Sequence, residues 1–157
     1  MIRVNLTKSY GKSLNYNGGL IMTNQSKYDV SDIVLLDNLQ KEVELIFDEL
    51  EREYSLSKEE FLILLTLWDK GSMTLKEMDQ YVKVKAYKRT RTFNNLVEKK
   101  WITKERPSDD ERTVIIHFNE DKEQDKQDLV NFTCGEIEKH QENLRNQLKS
   151  IIDGCEL

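Results

Sequence analysis

From Ser31 onward the apolar residues recur with helical spacing. Leu36, Leu39, Val43, Ile46 and Leu50 alternate steps of three and four, which draws one stripe down a helix of about residues 32–54 and leaves Lys41, Glu42, Glu44, Asp48, Glu49 and Glu51 largely to solvent. Ser57 and Glu60 have the spacing of a capping box, in which a hydroxyl and a carboxylate each satisfy a backbone N–H at a helix start. The following run, Phe61-Leu62-Ile63-Leu64-Leu65-Thr66-Leu67-Trp68, is apolar on nearly all sides and predicts the buried centre of the domain, closed by Lys70-Gly71. Thr74 and Glu77 repeat the capping-box spacing and open a short helix, Leu75 to Val82. Lys83-Val84-Lys85 then turns the chain into a further helix of about residues 86–100, a helix-turn-helix layout. In that second helix Ala86, Thr90, Phe93 and Val97 are expected to face the core with Leu96, and Lys85, Lys88, Arg89, Thr92 and Asn95 to face outward.

Beyond the helices, Trp101-Ile102-Thr103-Lys104-Glu105-Arg106 and Thr113-Val114-Ile115-Ile116-His117-Phe118 flank the turn Pro107-Ser108-Asp109-Asp110, and their β-branched content predicts a hairpin. Arg106 and Arg112 stand on either side of its acidic tip. From a plausible N-cap at Asn119, Val130, Ile137, Leu144 and Ile151 recur every seven residues, the seam of a long helix that Gly154 ends. Residues 1–30 lack sustained periodicity and read as a flexible arm. Two readings stand open for the arm: it helps to hold a polyanion through Arg3, Lys8 and Lys12, or Gly18-Gly19 is encoded by a purine run of ribosome-binding type and translation begins at Met22. Residues 31–157 form a single domain whose fold class is mainly α with a small β-hairpin, a winged helix-turn-helix flanked by long N- and C-terminal dimerisation helices. The nine residues of the two stripes expose more apolar surface than one winged helix can cover, so a twofold homodimer is expected.

Composition sharpens this picture. The 157 residues carry a net charge of −5, but residues 83–112 hold ten bases against five acids, a surplus of +5 that leaves −10 on the rest of the chain. One basic module rides on an acidic body. No apolar run approaches the roughly 18–20 residues of a membrane span, and no secretory signal is visible, so a cytoplasmic protein without membrane contact is expected. Cys134 and Cys155 show neither C-x-x-C spacing nor a disulfide framework. G-x-S-x-G, phosphate-loop and H-E-x-x-H motifs are absent, and His117 and His140 lie on different elements, so catalysis, a metal and a cofactor are not expected. Asp109-Asp110-Glu111 reads as paired with Arg106 and Arg112 rather than as a cation site.

The chemistry that remains suits double-stranded DNA. A helix bearing Lys, Arg, Thr and Asn fits the major groove, where cations neutralise phosphates or read guanine edges. An arginine at a hairpin tip suits a narrow A·T-rich minor groove. The DNA-binding module spans about residues 74–118. Arg112 is expected to reach the minor groove, with Asp110 orienting it, or a recognition-helix arginine, through an ion pair, and Thr92 and Arg106 are expected among the DNA contacts. Tyr87 either presents its hydroxyl to DNA or packs its ring in the core. The competing reading is a helical adaptor that binds a protein through its acidic body.

A family resemblance covers about residues 55–120. It rests on Glu59-Glu60 through Trp68, on Lys70-Gly71-Ser72-Met73-Thr74-Leu75-Lys76-Glu77-Met78-Asp79, on Tyr87-Lys88-Arg89-Thr90-Arg91-Thr92, and on the wing, Lys104-Glu105-Arg106-Pro107 with Asp109-Asp110-Glu111-Arg112-Thr113-Val114-Ile115-Ile116-His117-Phe118. In these the chain resembles the SarA branch of the MarR superfamily of staphylococcal regulators, and the Asp-Glu-Arg wing motif is the specific part. The resemblance implies a homodimer that binds A·T-rich promoter DNA and controls toxin and surface-protein genes, mainly repressing the former. It also implies contacts to DNA from Lys85, Tyr87, Lys88, Arg89 and Arg91 of the recognition helix and from Arg112 of the wing. Two departures stand out: Ala86 replaces a proline at the recognition-helix start, and the first long helix lacks the cysteine that serves some relatives as a redox sensor. No titratable constellation marks an effector pocket.

Overall fold

A computed structural model describes residues 30–110 and 112–154. The N-terminal arm, the Met22 start and Cys155 lie outside the described residues. The apolar stripe of the first segment folds as α1, Val30–Tyr54, and the next apolar run as α2, Lys58–Lys70. The capping box of α2 is complete, with Glu60 N–H donating to Ser57 Oγ and Ser57 N–H to Glu60 Oε2 at 3.0 Å. Gly71 ends the helix at φ +82°, where a Cβ would be strained, while its N–H donates to the Leu67 carbonyl. Strand β1, Met73–Thr74, leads into α3, Leu75–Tyr81, whose own capping box joins Thr74 and Glu77. The recognition helix α4 spans Ala86–Glu98, strands β2 and β3 span Ile102–Glu105 and Ile115–Phe118, and a 3-10 turn, Glu120–Lys122, starts the long α5, Glu123–Gly154.

The sheet has three strands in the order β1-β3-β2, all antiparallel. Its third member was not visible in the sequence because β1 is two residues long and shares Thr74 with the cap of α3. Met73 pairs with Ile116, and Leu75 N–H donates to the Val114 carbonyl, so α3 is pinned to the base of the wing.

Phe61, Ile63, Leu64 and Leu67 of α2 form the centre of the core with Met78, Phe93, Leu96, Ile102, Ile116 and Leu129. At Leu65, 37% exposed, α2 departs from the uniformly buried helix expected. The inward face of α4 is also displaced by about one position. Thr92 is 7% exposed and spends its hydroxyl on the Lys88 carbonyl, whereas Ala86, Thr90 and Val97 are exposed. Phe93 and Leu96 are the bulky residues that fill the gap over α2 and the sheet, and Thr92 joins the same inward face on the far side of Leu96 from Phe93. Thr92 is therefore a core residue rather than an outward one.

The two long helices pack on each other within one chain. Tyr54 meets Phe132 edge-on at 5.4 Å, and His140 Nδ1 lies 2.6 Å from Glu42 Oε1, so α1 and α5 run antiparallel. Val43, Ile46 and Leu50 consequently face Val130, Ile137 and Leu144 across an apolar groove of about 520 Å³. Ile46, Leu50 and the unexpected Leu129 are buried in the protomer's own core, so the sequence stripes serve first to hold the chain together. Leu39 and Ile151 are half-buried, and Leu36 is 52% exposed. Val34, Leu148 and Ile152 add further exposed apolar surface at the paired ends of the helices. Among the described residues no helix is long and apolar enough to cross a membrane.

Two turns outside the helices adopt left-handed backbone without glycine, Ser55 at φ +54° and Lys100 at φ +60°. Such residues cost on the order of 1 kcal/mol each and persist where neighbours hold them. Lys99 provides that hold: its ammonium reaches the Ser55 carbonyl and lies 2.9 Å from Glu60, a carboxylate only 3% exposed. The Lys100 carbonyl accepts from Asn119 Nδ2 at 2.8 Å. Replacing Lys99 with Met leaves the buried Glu60 charge without its cation and should lower unfolding free energy by about 3 kcal/mol, read as an earlier urea midpoint, while Lys99→Arg retains most of the stability.

Candidate nucleic-acid interface

Helix α4 lies between α3 and the wing with its N-terminal half open to solvent. Lys85, Lys88 and Arg91, spaced by three, form one exposed cationic stripe with Tyr87 beside it. Tyr87 is 76% exposed, so its ring is not part of the core. None of these three cations, nor Arg112, has a side-chain hydrogen bond or ion pair among the described residues. The N-terminus of α4 also differs from those of α2 and α3: no acidic residue sits in its first turn, and Lys85 makes no side-chain cap. Cations at the positive end of a helix dipole work against helix stability, an arrangement that favours an anion brought from outside.

Other cations of the basic segment are engaged inside the protein. Arg89 Nη1 lies 2.7 Å from Asp79 Oδ2, and its Nη2 donates to the Leu75 carbonyl at 3.0 Å. Arg89 thus ties α4 to α3, a structural duty that the spacing of basic residues does not reveal. Lys83 donates to the Asp79 carbonyl, and Lys99 anchors Glu60. Lys104, part of the wing run but not among the DNA contacts expected from sequence, donates to Asn94 Oδ1 at 2.7 Å and joins β2 to α4. The signal that could have found it is strand alternation, which puts Ile102, Lys104 and the following Arg106 on one side of the chain.

At the wing tip, Asp110 orients the turn through the backbone. Its carboxylate accepts the Arg112 N–H at 3.1 Å and the Thr113 hydroxyl, while Asp110 N–H donates to the Pro107 carbonyl. The Asp110–Arg112 ion pair expected from sequence is therefore replaced by a carboxylate that closes the turn and leaves the exposed Arg112 side chain projecting from it. Arg106 is exposed on the other arm of the wing. At the base, His117 Nδ1 lies 2.7 Å from Ser72 Oγ, and its Nε2 lies 3.0 Å from Glu105 Oε2. Among the described residues no group of three or more His, Cys, Asp or Glu side chains is placed to hold a metal.

A three-stranded wing packed behind an exposed basic helix, with long helices on either side, defines a winged helix-turn-helix DNA-binding protein of the regulator class. Residues 45–129 match the family described as transcriptional regulator SarA/Rot. The chain is 58% identical over 123 residues to the HTH-type transcriptional regulator rot of Staphylococcus aureus, covering 78% of this chain and 74% of that protein. It is 32% identical over 98 residues to the uncharacterised HTH-type regulator YpoP of Bacillus subtilis, covering 61% and 66% of the two chains. The fold is shared with reduced, DNA-bound AbfR of Staphylococcus epidermidis at TM-score 0.57 and 19% identity, over 78% of this chain and 94% of the other. A MarR-like regulator of Bacillus cereus aligns at TM-score 0.61 and 12% identity, over 82% and 100%. The chain belongs to the SarA/Rot family of transcriptional regulators.

The Asp110 contacts carry a pH dependence. The Thr113 hydroxyl, followed by the Arg112 N–H, holds the Asp110 carboxyl below its ordinary range. A depressed carboxyl stabilises the turn above the unfolded-state value of about 3.9 and loses that contribution as pH falls through the lower folded-state value. Nuclear magnetic resonance of the Arg112 amide should show the turn intact at neutral pH and loosening in acid below about pH 4, and Asp110→Asn should abolish the titration.

Proposed function

We propose that the protein is a homodimeric transcriptional regulator that docks α4 in the major groove of A·T-rich promoter DNA and sets Arg112 of the wing in the adjacent minor groove. The observation that carries this reading is the stripe of Lys85, Lys88 and Arg91 with the exposed Tyr87, aligned beside a wing whose turn is closed by Asp110. Phosphates would meet the cations and the uncapped start of α4, while Tyr87 and Arg91 reach base edges. Arg106 extends the same contact along the other arm of the wing, and Arg89 contributes by fixing the helix against α3. Residues 31–157 act as one unit, with the DNA-binding module over about 74–118.

Dimerisation supplies the second recognition helix, so that half-sites fall about one helical turn, ~10 bp, apart. The exposed Leu36, Val34, Leu148 and Ile152 at the paired ends of α1 and α5 provide the apolar surface for that contact. Family resemblance extends the reading to control of toxin, exoprotein and surface-protein genes, with repression of toxins as the main effect, in the cytoplasm and by binding rather than catalysis.

A gel shift on A·T-rich promoter fragments against scrambled DNA at two salt concentrations tests this: a sequence preference with steep salt dependence supports it, and binding to neither DNA rejects it. Light scattering at micromolar concentration should give twice the chain mass, and a monomer mass removes the two-half-site geometry. Arg112→Ala should weaken DNA binding by ~1–3 kcal/mol with little change in thermal midpoint, because its side chain stands outside the core. Tyr87→Ala, equally exposed, should reduce promoter preference more than non-specific affinity.

A further inference from the structure

Among the described residues, two of the clefts beside α4 have linings that differ in charge. One lies toward α1 and α2; Lys88, Arg91 and Lys99 enter it, but so do Glu51, Glu59 and Glu60. The other, about 580 Å³, lies between α4 and the wing over a floor of Leu75, Phe93 and Val114. Among the described residues its polar lining consists of Arg89, Thr90, Asn94, Lys104 and Arg106, with no carboxylate side chain.

Strand geometry explains how cations come to line this second cleft. Ile102 and Lys104 are two residues apart on β2 and point to the same face of the sheet, the face toward α4. Ile102 fills the core, and Lys104, opposite the fully buried Ile116, stands where the core opens. Lys104 donates one of its three N–H groups to Asn94 Oδ1, which leaves two donors on the ammonium and the amide N–H₂ of Asn94 beside them. Arg89 is already engaged with Asp79 and Leu75, so the cleft is rigid on its α3 side.

The geometry points to this cleft as a phosphate clamp: Lys104, held by Asn94, takes a backbone phosphate of the bound DNA between the recognition helix and the wing, with Thr90 and Arg106 at its edge. This rests on the DNA-binding reading above and adds a strand-borne contact to it. The match is one of donors to an acceptor-only group, since phosphate oxygens accept and the polar side chains lining the cleft can all donate. Burial first, and then the neighbouring Arg106, make the Lys104 charge less favourable than on an open surface, a penalty that an anion between them relieves. Because Asn94 belongs to α4 and Lys104 to β2, the same bond sets the separation of helix and wing before DNA arrives, so little ordering remains for binding itself.

Fluorescence anisotropy of the full-length chain with an A·T-rich duplex, over a series of salt concentrations, tests the clamp. Lys104→Met should lower affinity about tenfold at low salt and make log K against log salt shallower by about 0.9, the release of one phosphate contact. Lys104→Arg should keep the wild-type slope, and Lys41→Met on α1 should leave slope and affinity unchanged. Asn94→Ala should keep the slope but lose affinity a few-fold, because the lysine must then be ordered on binding; this variant decides the matter should Lys104→Met melt early. Wild-type slope in Lys104→Met, or wild-type affinity in Asn94→Ala, overturns the clamp while DNA binding stands. A wild-type chain that binds no duplex overturns the DNA-binding reading itself. Inorganic phosphate that binds the wild-type chain but not Lys104→Met, while DNA binds both with the same affinity and salt slope, would assign the cleft to a free anion and overturn its assignment to the DNA backbone.

Discussion

The buried carboxylate of Glu60 is the contact on which the geometry of the DNA-binding face depends. It closes the capping box at the start of α2 and pairs with Lys99 just after α4, while Lys99 reaches back to the Ser55 carbonyl. A single charged pair thereby fixes the α1–α2 turn, the first turn of the central helix and the point where the recognition helix gives way to the wing. The two left-handed residues, Ser55 and Lys100, flank these joints. With Lys99 removed, the Glu60 carboxylate stays buried without its paired cation, so breaking the pair costs more than the intact pair contributes.

Around that joint the protein divides its basic residues between two tasks. Arg89, Lys83 and Lys99 are engaged by partners within the chain, and Lys104 gives one of its donors to Asn94. Lys85, Lys88, Arg91 and Arg112 are held out from the surface. The second group costs stability, since Lys85 and Lys88 crowd the positive end of α4. The first group supplies the rigidity that lets exposed cations keep their spacing. Arg89 is the clearest case of a residue whose composition suggests contact with DNA and whose geometry assigns it to the scaffold.

The aromatic junction at the base of the wing connects this face to the long helices. Trp68 of α2 meets Phe118 edge-on at 5.7 Å and Trp101 at 6.4 Å, while the Lys126 ammonium lies over both the Trp68 and Phe118 rings. Helix α5 therefore begins in contact with the sheet that carries the wing. The start of α5 meets the base of the wing through a lysine seated on packed rings rather than through a loose linker.

The sequence by itself determined what depends on neighbours along the chain: both capping boxes, the glycine stop at Gly71, the positions of the four main helical segments, the hairpin and the separation of a basic module from an acidic body. These follow from local hydrogen bonding and from periodicity, which a linear pattern records. Only the tertiary structure decided the rest. It buried Thr92 and exposed Ala86, Thr90 and Val97, because the gap over α2 and the sheet selects Phe93 and Leu96 as the inward pair. It set the α1 and α5 stripes against each other within one chain. It turned Asp110 onto backbone and hydroxyl donors, gave Arg89 to Asp79, and brought Asn94 to Lys104 across the helix–wing cleft. Each of these depends on the distance between residues remote in sequence, or on which of several nearby donors a charged group finds first, and neither quantity is written in the spacing of residue types.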